Sequence, residues 1–131
     1  MSGILETNPW LLRKTVLPQN TDHAGVMWHG AYLSWLEEAR INALLQVGLS
    51  YKQISNEGFE MPVIDLHIKY LSSLFHGDNV LLKSFVSQGK GPRWRWKTTF
   101  YRAESEKKVA FSCVDLVLIK KGHSGNVLLR K

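Results

Sequence analysis

The chain has 131 residues, 44% of them hydrophobic and 21% charged, with a formal net charge of +6. That size and balance specify a single folded domain with a real core and exclude a disordered chain. No apolar run approaches the roughly 18–20 residues of a membrane span, the opening MSGILETNPW is not expected to be a signal peptide, and the single Cys113 excludes an internal disulfide and fits a reducing cytoplasm.

Trp10 to Leu17 mixes apolar and basic residues and is stopped by Pro18, which reads as a first strand. Asn20 to Arg40, NTDHAGVMWHGAYLSWLEEAR, then passes from turn formers into an amphipathic helix. From Trp28 onward, Tyr32, Trp35, Leu36, Ala39, Ala43 and Val47 recur at helical spacing, with Glu37, Glu38 and Arg40 largely off the stripe and Gly48 as the stop. SYKQ at Ser50 to Gln53 matches a capping box, so a short second helix is predicted, closed by Gly58.

The second half reads as antiparallel sheet. In Met61 to Leu71, Ile64, Leu66, Ile68 and Tyr70 alternate with Asp65, His67 and Lys69, the period of a half-buried strand. A turn at His76 to Asp78 leads to a strand from Val80 to Gln88, ended by GKGP at Gly89 to Pro92. In RWRWKTTFY, Trp94, Trp96, Thr98 and Phe100 oppose Arg93, Arg95, Lys97 and Tyr101. ESEKK turns the chain into a long last strand from Val109 to Ile119, in which Cys113 is expected to be packed and buried. The tail GHSGNVLLRK adds a short edge piece or frays. The predicted class is α+β, a long central helix wrapped by a curved antiparallel sheet of about five strands. Its open sheet edge predicts pairing with a second copy.

Thr21, Asp22, Ala24, Gly25, Val26, Met27, Trp28, His29 and Tyr32 carry a specific likeness. The stretch resembles the signature of hotdog-fold thioesterases of the 4-hydroxybenzoyl-CoA thioesterase type, and within them the small bacterial acyl-CoA thioesterases associated with the Tol-Pal envelope system. The likeness spans nearly the whole chain and implies one hotdog thioesterase domain over residues 1–131, a homodimer or homotetramer. It implies hydrolysis of an acyl-CoA or acyl-carrier-protein thioester to free acid and thiol. Asp22 corresponds to the catalytic acid, and the His29 backbone N–H to the donor that holds the thioester oxygen. Gly25, Trp28, Gly30 and Tyr32 fall at the substrate, and Lys90 and Arg93 in the region that meets the nucleotide end. Coenzyme A enters as part of the substrate, with no other cofactor. One position departs from the pattern: Asn20 stands where the family has the first acid of a pair. Cyanobacterial and plant relatives acting on naphthoyl-CoA or acyl-carrier thioesters share the signature, so the acyl group stays open.

The chemistry is consistent with that likeness. Thioester cleavage builds charge on the carbonyl oxygen, and a helix N-terminus offers unpaired amides and a positive dipole end. A carboxylate serves either as general base on water or as nucleophile. Gly25 permits a positive φ between acid and helix. Plainer readings stand beside these: Asp22 as a turn residue bonding its own backbone, His29 as an ordinary helix-start residue, His23 and His67 as surface groups. Lys90, Arg93 and Arg95 in GKGPRWR suit phosphates, or form a cationic flank that keeps a sheet edge soluble. No cluster has metal-ligand spacing, and no phosphate loop is present. Two rivals remain. A nucleic-acid binder draws on RWRW and the positive charge, but the alternation sets both Trp opposite both Arg. A hotdog domain that binds acyl-CoA without cleaving it has the retained Asp22 and WHGAY against it. A dehydratase of the same fold lacks its His signature.

Overall fold

The computed structural model describes residues 9–48, 50–122 and 125–128. Strand β1 (Trp10–Thr15) and a one-turn 3-10 helix (Pro18–Asn20) lead to helix α1 (His29–Gln46) and a short α2 (Tyr51–Asn56). Then come β2 (Phe59–Glu60), β3 (Val63–Tyr70), β4 (Asn79–Gln88), β5 (Arg93–Arg102), β6 (Lys108–Val117), β7 (Ile119–Gly122) and β8 (Gly125–Leu128). The main sheet is antiparallel, in the order β1-β4-β5-β6-β3, and a second sheet has the order β2-β7-β8.

The five-stranded sheet and long helix match the expected α+β class. The second sheet was not expected. The last strand, expected to run unbroken to Ile119, breaks at Leu118, and β7 pairs with the two-residue β2 instead. The tail supplies the last residue of β7, Gly122, and β8 as an edge piece on β7; its other residues lie outside those described.

α1 buries Ala31, Tyr32, Trp35, Leu36, Ala39, Ala43 and Leu44. The sheet answers with alternate residues, Leu82, Ser84 and Val86 from β4, Trp94, Trp96, Thr98 and Phe100 from β5, and Ala110, Ser112 and Val114 from β6. Each large apolar side chain so buried contributes roughly 1.5–3 kcal/mol. Ser50 caps α2 as its sequence predicts, its hydroxyl accepting from Gln53 N–H at 3.0 Å.

Four expectations are corrected. Arg40 is buried rather than off the stripe, because its Nε donates to the Tyr51 hydroxyl at 2.9 Å and its guanidinium covers that ring, tying α2 to α1. Trp28, expected to head the stripe, is 46% exposed, since it precedes the helix as its N-cap. Cys113 is half-buried instead of buried: the parity of β6 puts it on the outer face, opposite Lys97 on one side and His67 on the other. The apolar side of β3 is not half-buried: Ile64, Leu66 and Tyr70 are 45%, 42% and 49% exposed. β3 ends the sheet, paired only with β6; of its apolar side Ile68 is half-buried against the core and the Tyr70 ring meets Tyr32, while the rest is left uncovered.

Candidate active site

The Asp22–His29 junction is a closed loop. Thr21 bridges Met27, Trp28 N–H donates to the Asn20 carbonyl at 3.1 Å, and Asp22 N–H donates to the Val26 carbonyl at 2.8 Å. Met27 N–H donates to the Leu74 carbonyl at 2.8 Å, and Val26 bridges Phe75, so the loop is stapled to the segment before β4. That segment is braced in turn. Asp78 Oδ2 accepts from Phe75 N–H at 2.8 Å and from Arg102 at 2.6 Å, and Arg102 also donates to the Ser73 carbonyl.

Inside the loop, Asp22 Oδ1 accepts from the Ala24 and Val26 amides at 2.9 and 3.2 Å. The turn reading of this acid therefore describes one of its oxygens. The other has no partner among the described residues, and the side chain is exposed. The turn fixes the direction of that free oxygen. Gly25 has φ +79° with open space where a Cβ would stand, so its requirement is conformational, as expected. Asn20 explains its own departure from the family acid. Its Oδ1 accepts from Leu17 N–H at 2.9 Å, an acceptor role that an amide fills as well as a carboxylate.

α1 begins without a side-chain cap. Its first bond is from Ala31 N–H to the Trp28 carbonyl at 2.9 Å, and the His29 and Gly30 amides have no acceptor among the described residues. A capping side chain would ordinarily take such a donor; here two remain free at the positive end of an 18-residue helix. The Trp28 indole lies on Gly30, where an added Cβ would come 2.3 Å from a ring carbon, and meets the His29 ring edge-on at 5.3 Å. The His29 and His23 side chains are exposed.

Tyr32, one turn further in, is buried against Tyr70 (4.9 Å, edge-on) and Phe100 (5.3 Å). Burial, and secondarily Tyr70, pushes its phenol up to about 12, against a smaller opposing pull from Arg102. The ring faces an open hollow of about 310 Å³ that also touches Val26, Met27, Tyr70, Ser72 and Ser73. Asp22, Gly25, Trp28, His29 and Gly30 thus lie on one loop and helix start, with Tyr32 one turn further in, and of these six Tyr32 alone lines the hollow.

The structure does not bring Lys90 and Arg93 to them within one chain. These residues line a separate hollow of about 500 Å³ at the β4–β5 turn. The loop instead lies at the start of β4, where Val16 N–H donates to the Asp78 carbonyl. Ten residues of strand separate those ends, about 30 Å at the usual rise. Within the far hollow, Asp115 is 3% exposed and takes Arg95 in a fork, Nε–Oδ1 at 2.7 Å and a second N–H to Oδ2 at 2.9 Å, with Arg93 at 3.7 Å. The Arg95 hydrogen bonds hold its carboxyl below the usual value, against the opposing effect of burial. Sequence reasoning missed Asp115, Tyr70, Ser72 and Ser73. The opposite charges of Arg95 and Asp115 were visible, but not the register that sets them side by side.

The thioesterase-like superfamily model matches residues 16–127. A Synechocystis protein named as an esterase is 29% identical over 114 residues, covering 86% of this chain and 69% of that one. The 1,4-dihydroxy-2-naphthoyl-CoA hydrolase of Thermosynechococcus vestitus is 29% identical over 124 residues, covering 92% and 84%. Among solved structures, the Synechocystis 1,4-dihydroxy-2-naphthoyl-CoA thioesterase superposes with a TM-score of 0.85 at 24% identity, covering 92% of this chain and 89% of that one. With the family model spanning both helices and every strand of the main sheet but β1, the chain belongs to the thioesterase-like superfamily, a hotdog-fold enzyme of the thioester-hydrolase type.

Proposed function

We propose that the protein hydrolyses an acyl-CoA thioester to free acid and thiol at the Asp22–His29 junction. The observation that carries this is the pairing of a turn-anchored carboxylate, one oxygen free, with two unbonded amides at the start of α1. The thioester carbonyl oxygen is received by the His29 amide, which stabilises the charge that grows there; such a donor is worth about 10²–10³ in rate. The free oxygen of Asp22 takes a proton from the attacking water, worth about 10²–10⁴, or adds to the carbonyl itself, the C–S bond breaking to release the coenzyme A thiolate, and water then hydrolyses the mixed anhydride. In a single turnover in ¹⁸O-water, label found in Asp22 marks the anhydride route, with water attacking the aspartyl carbonyl, whereas the base route puts label only in the product acid. The substrate named for the Thermosynechococcus relative is itself a coenzyme A thioester, which supports the class and leaves the acyl group open.

The unit of activity is a homodimer, or a tetramer built from it. β3 offers a free edge and an uncovered apolar face. Antiparallel pairing of two such edges about a two-fold axis reverses the partner's sheet. It carries the partner's β4–β5 turn, with its Lys90 and Arg93, to the end where this chain's Asp22 stands. The basic turn then meets the phosphates of a coenzyme A whose thioester lies in the other subunit. No described helix is long and apolar enough to cross a membrane, and a half-buried free thiol suits the cytoplasm as its place of work. The burial of Trp94 and Trp96 removes the stacking argument for nucleic acid. The test is thiol release across a panel of acyl-CoA and acyl-carrier thioesters. Activity on at least one acyl-CoA is expected, and binding without release from any would favour a non-catalytic acyl-CoA binder.

A further inference from the structure

We propose that the hollow beside the start of α1 takes the acyl group, and that the Tyr32 ring is its floor and sets the acyl length the enzyme accepts; this rests on the thioesterase reading above. Val26 and Met27, which line it, belong to the loop between Asp22 and His29, so the hollow adjoins the loop that carries both. Tyr70, which ends the uncovered apolar face of β3, and Leu71, which follows it, also line the hollow, each 49% exposed. The hollow measures about 310 Å³, many times the space of a single water, and it is open to solvent on one side.

Tyr32 is the most buried of the residues that line it. Its ring is 3% exposed and wedged between Tyr70 and Phe100, where α1 meets the sheet. Behind it the inner face of β6 carries small side chains. Ala110 lies opposite both Tyr70 and Phe100, and Ser112 opposite Ile68 and Thr98. The Ser112 hydroxyl is buried with no hydrogen-bond partner among the described residues. Removing the Tyr32 ring would therefore open the hollow along a line of small residues under the helix. The phenol, raised by burial, stays neutral through any assay range, so Tyr32→Phe removes a hydroxyl without changing charge or floor.

The experiment is the kcat/KM profile against straight-chain acyl-CoA from acetyl to palmitoyl, for wild type, Tyr32→Phe, Tyr32→Ala and Ser72→Leu. Ser72 is half-buried at the rim, so its variant narrows the hollow without touching the core, and it carries the test if Tyr32→Ala does not fold. Wild type should show an upper limit of acyl length. Tyr32→Ala should move that limit outward, gaining about fourfold per methylene newly accommodated. Tyr32→Phe should keep the wild-type limit, and Ser72→Leu should shorten it. A common length profile for Tyr32→Ala, Ser72→Leu and wild type, whatever their absolute rates, overturns the proposal. If wild type releases no thiol from any substrate, the thioesterase reading falls by itself. Calorimetric binding of non-hydrolysable acyl-CoA thioethers over the same lengths then decides the hollow: a Kd profile shifted in the variants supports it, and an unshifted one overturns it.

Discussion

Leu66→Lys tests whether the uncovered side of β3 is an interface. Leu66 is 42% exposed and is flanked on the same side by Ile64 at 45% and Tyr70 at 49%. Full burial of such a side chain contributes roughly 1.5–3 kcal/mol, so covering the exposed half contributes about 1 kcal/mol. A two-fold axis presents each substitution twice, which removes about 2 kcal/mol from the dimer. Two lysines facing each other across a partly desolvated edge add at least about 1 kcal/mol of repulsion and desolvation. A total near 3 kcal/mol weakens dimerisation roughly a hundredfold. Sedimentation equilibrium should show wild type dimeric at micromolar concentration and the variant shifted toward monomer, with its circular dichroism unchanged. The variant should also lose affinity for acyl-CoA, because the partner's basic turn departs with the partner. A monomeric wild type with full activity, or a variant of unchanged mass, would refute both the edge pairing and the shared site.

Lys90→Ala should raise KM for acyl-CoA severalfold with kcat nearly constant, since phosphate contact binds ground and transition states alike; steady-state kinetics at two salt concentrations checks it. Gly25→Ala puts a Cβ on a backbone with φ +79°, so urea unfolding should show a loss of about 1–2 kcal/mol. For Asp115, the folded carboxyl lies below its ordinary value of 3.8. Its contribution is thus complete at neutral pH and drains away as pH falls through that value toward the lower folded one. Asp115→Asn should be less stable at pH 7 and lose less on acidification below about pH 4, read by thermal unfolding across pH.

What was legible in the sequence was local periodicity. The stripe of α1, the alternation of β5, the Ser50 cap and the positive φ at Gly25 each follow from a few neighbouring residues and need no knowledge of the rest of the chain. What was not legible depends on partners far away. Alternation in β3 declares an apolar side but not what covers it, and in one chain little does. The pairing of Arg95 with Asp115 and the meeting of Tyr32 with Tyr70 need the registers β5–β6 and β3–β6. The pattern around GKGP said that a basic turn exists, while only the topology places it at the opposite end of β4 from Asp22. Arg40 read as largely off the stripe of α1, and only the docking of α2 supplies the Tyr51 hydroxyl that lets it be buried.

The central claim is that Asp22 does chemistry as well as shaping its turn, and Asp22→Asn separates the two roles. The Asn oxygen can still accept from the Ala24 and Val26 amides, so stability should change by less than about 0.5 kcal/mol. The free oxygen, however, loses its charge and its basicity. Steady-state thioester hydrolysis by the folded variant should show kcat lower by at least about 10²-fold, with KM little changed. A stable Asp22→Asn protein that keeps more than about a tenth of wild-type kcat, against that expectation, would contradict the account and leave Asp22 as turn chemistry alone.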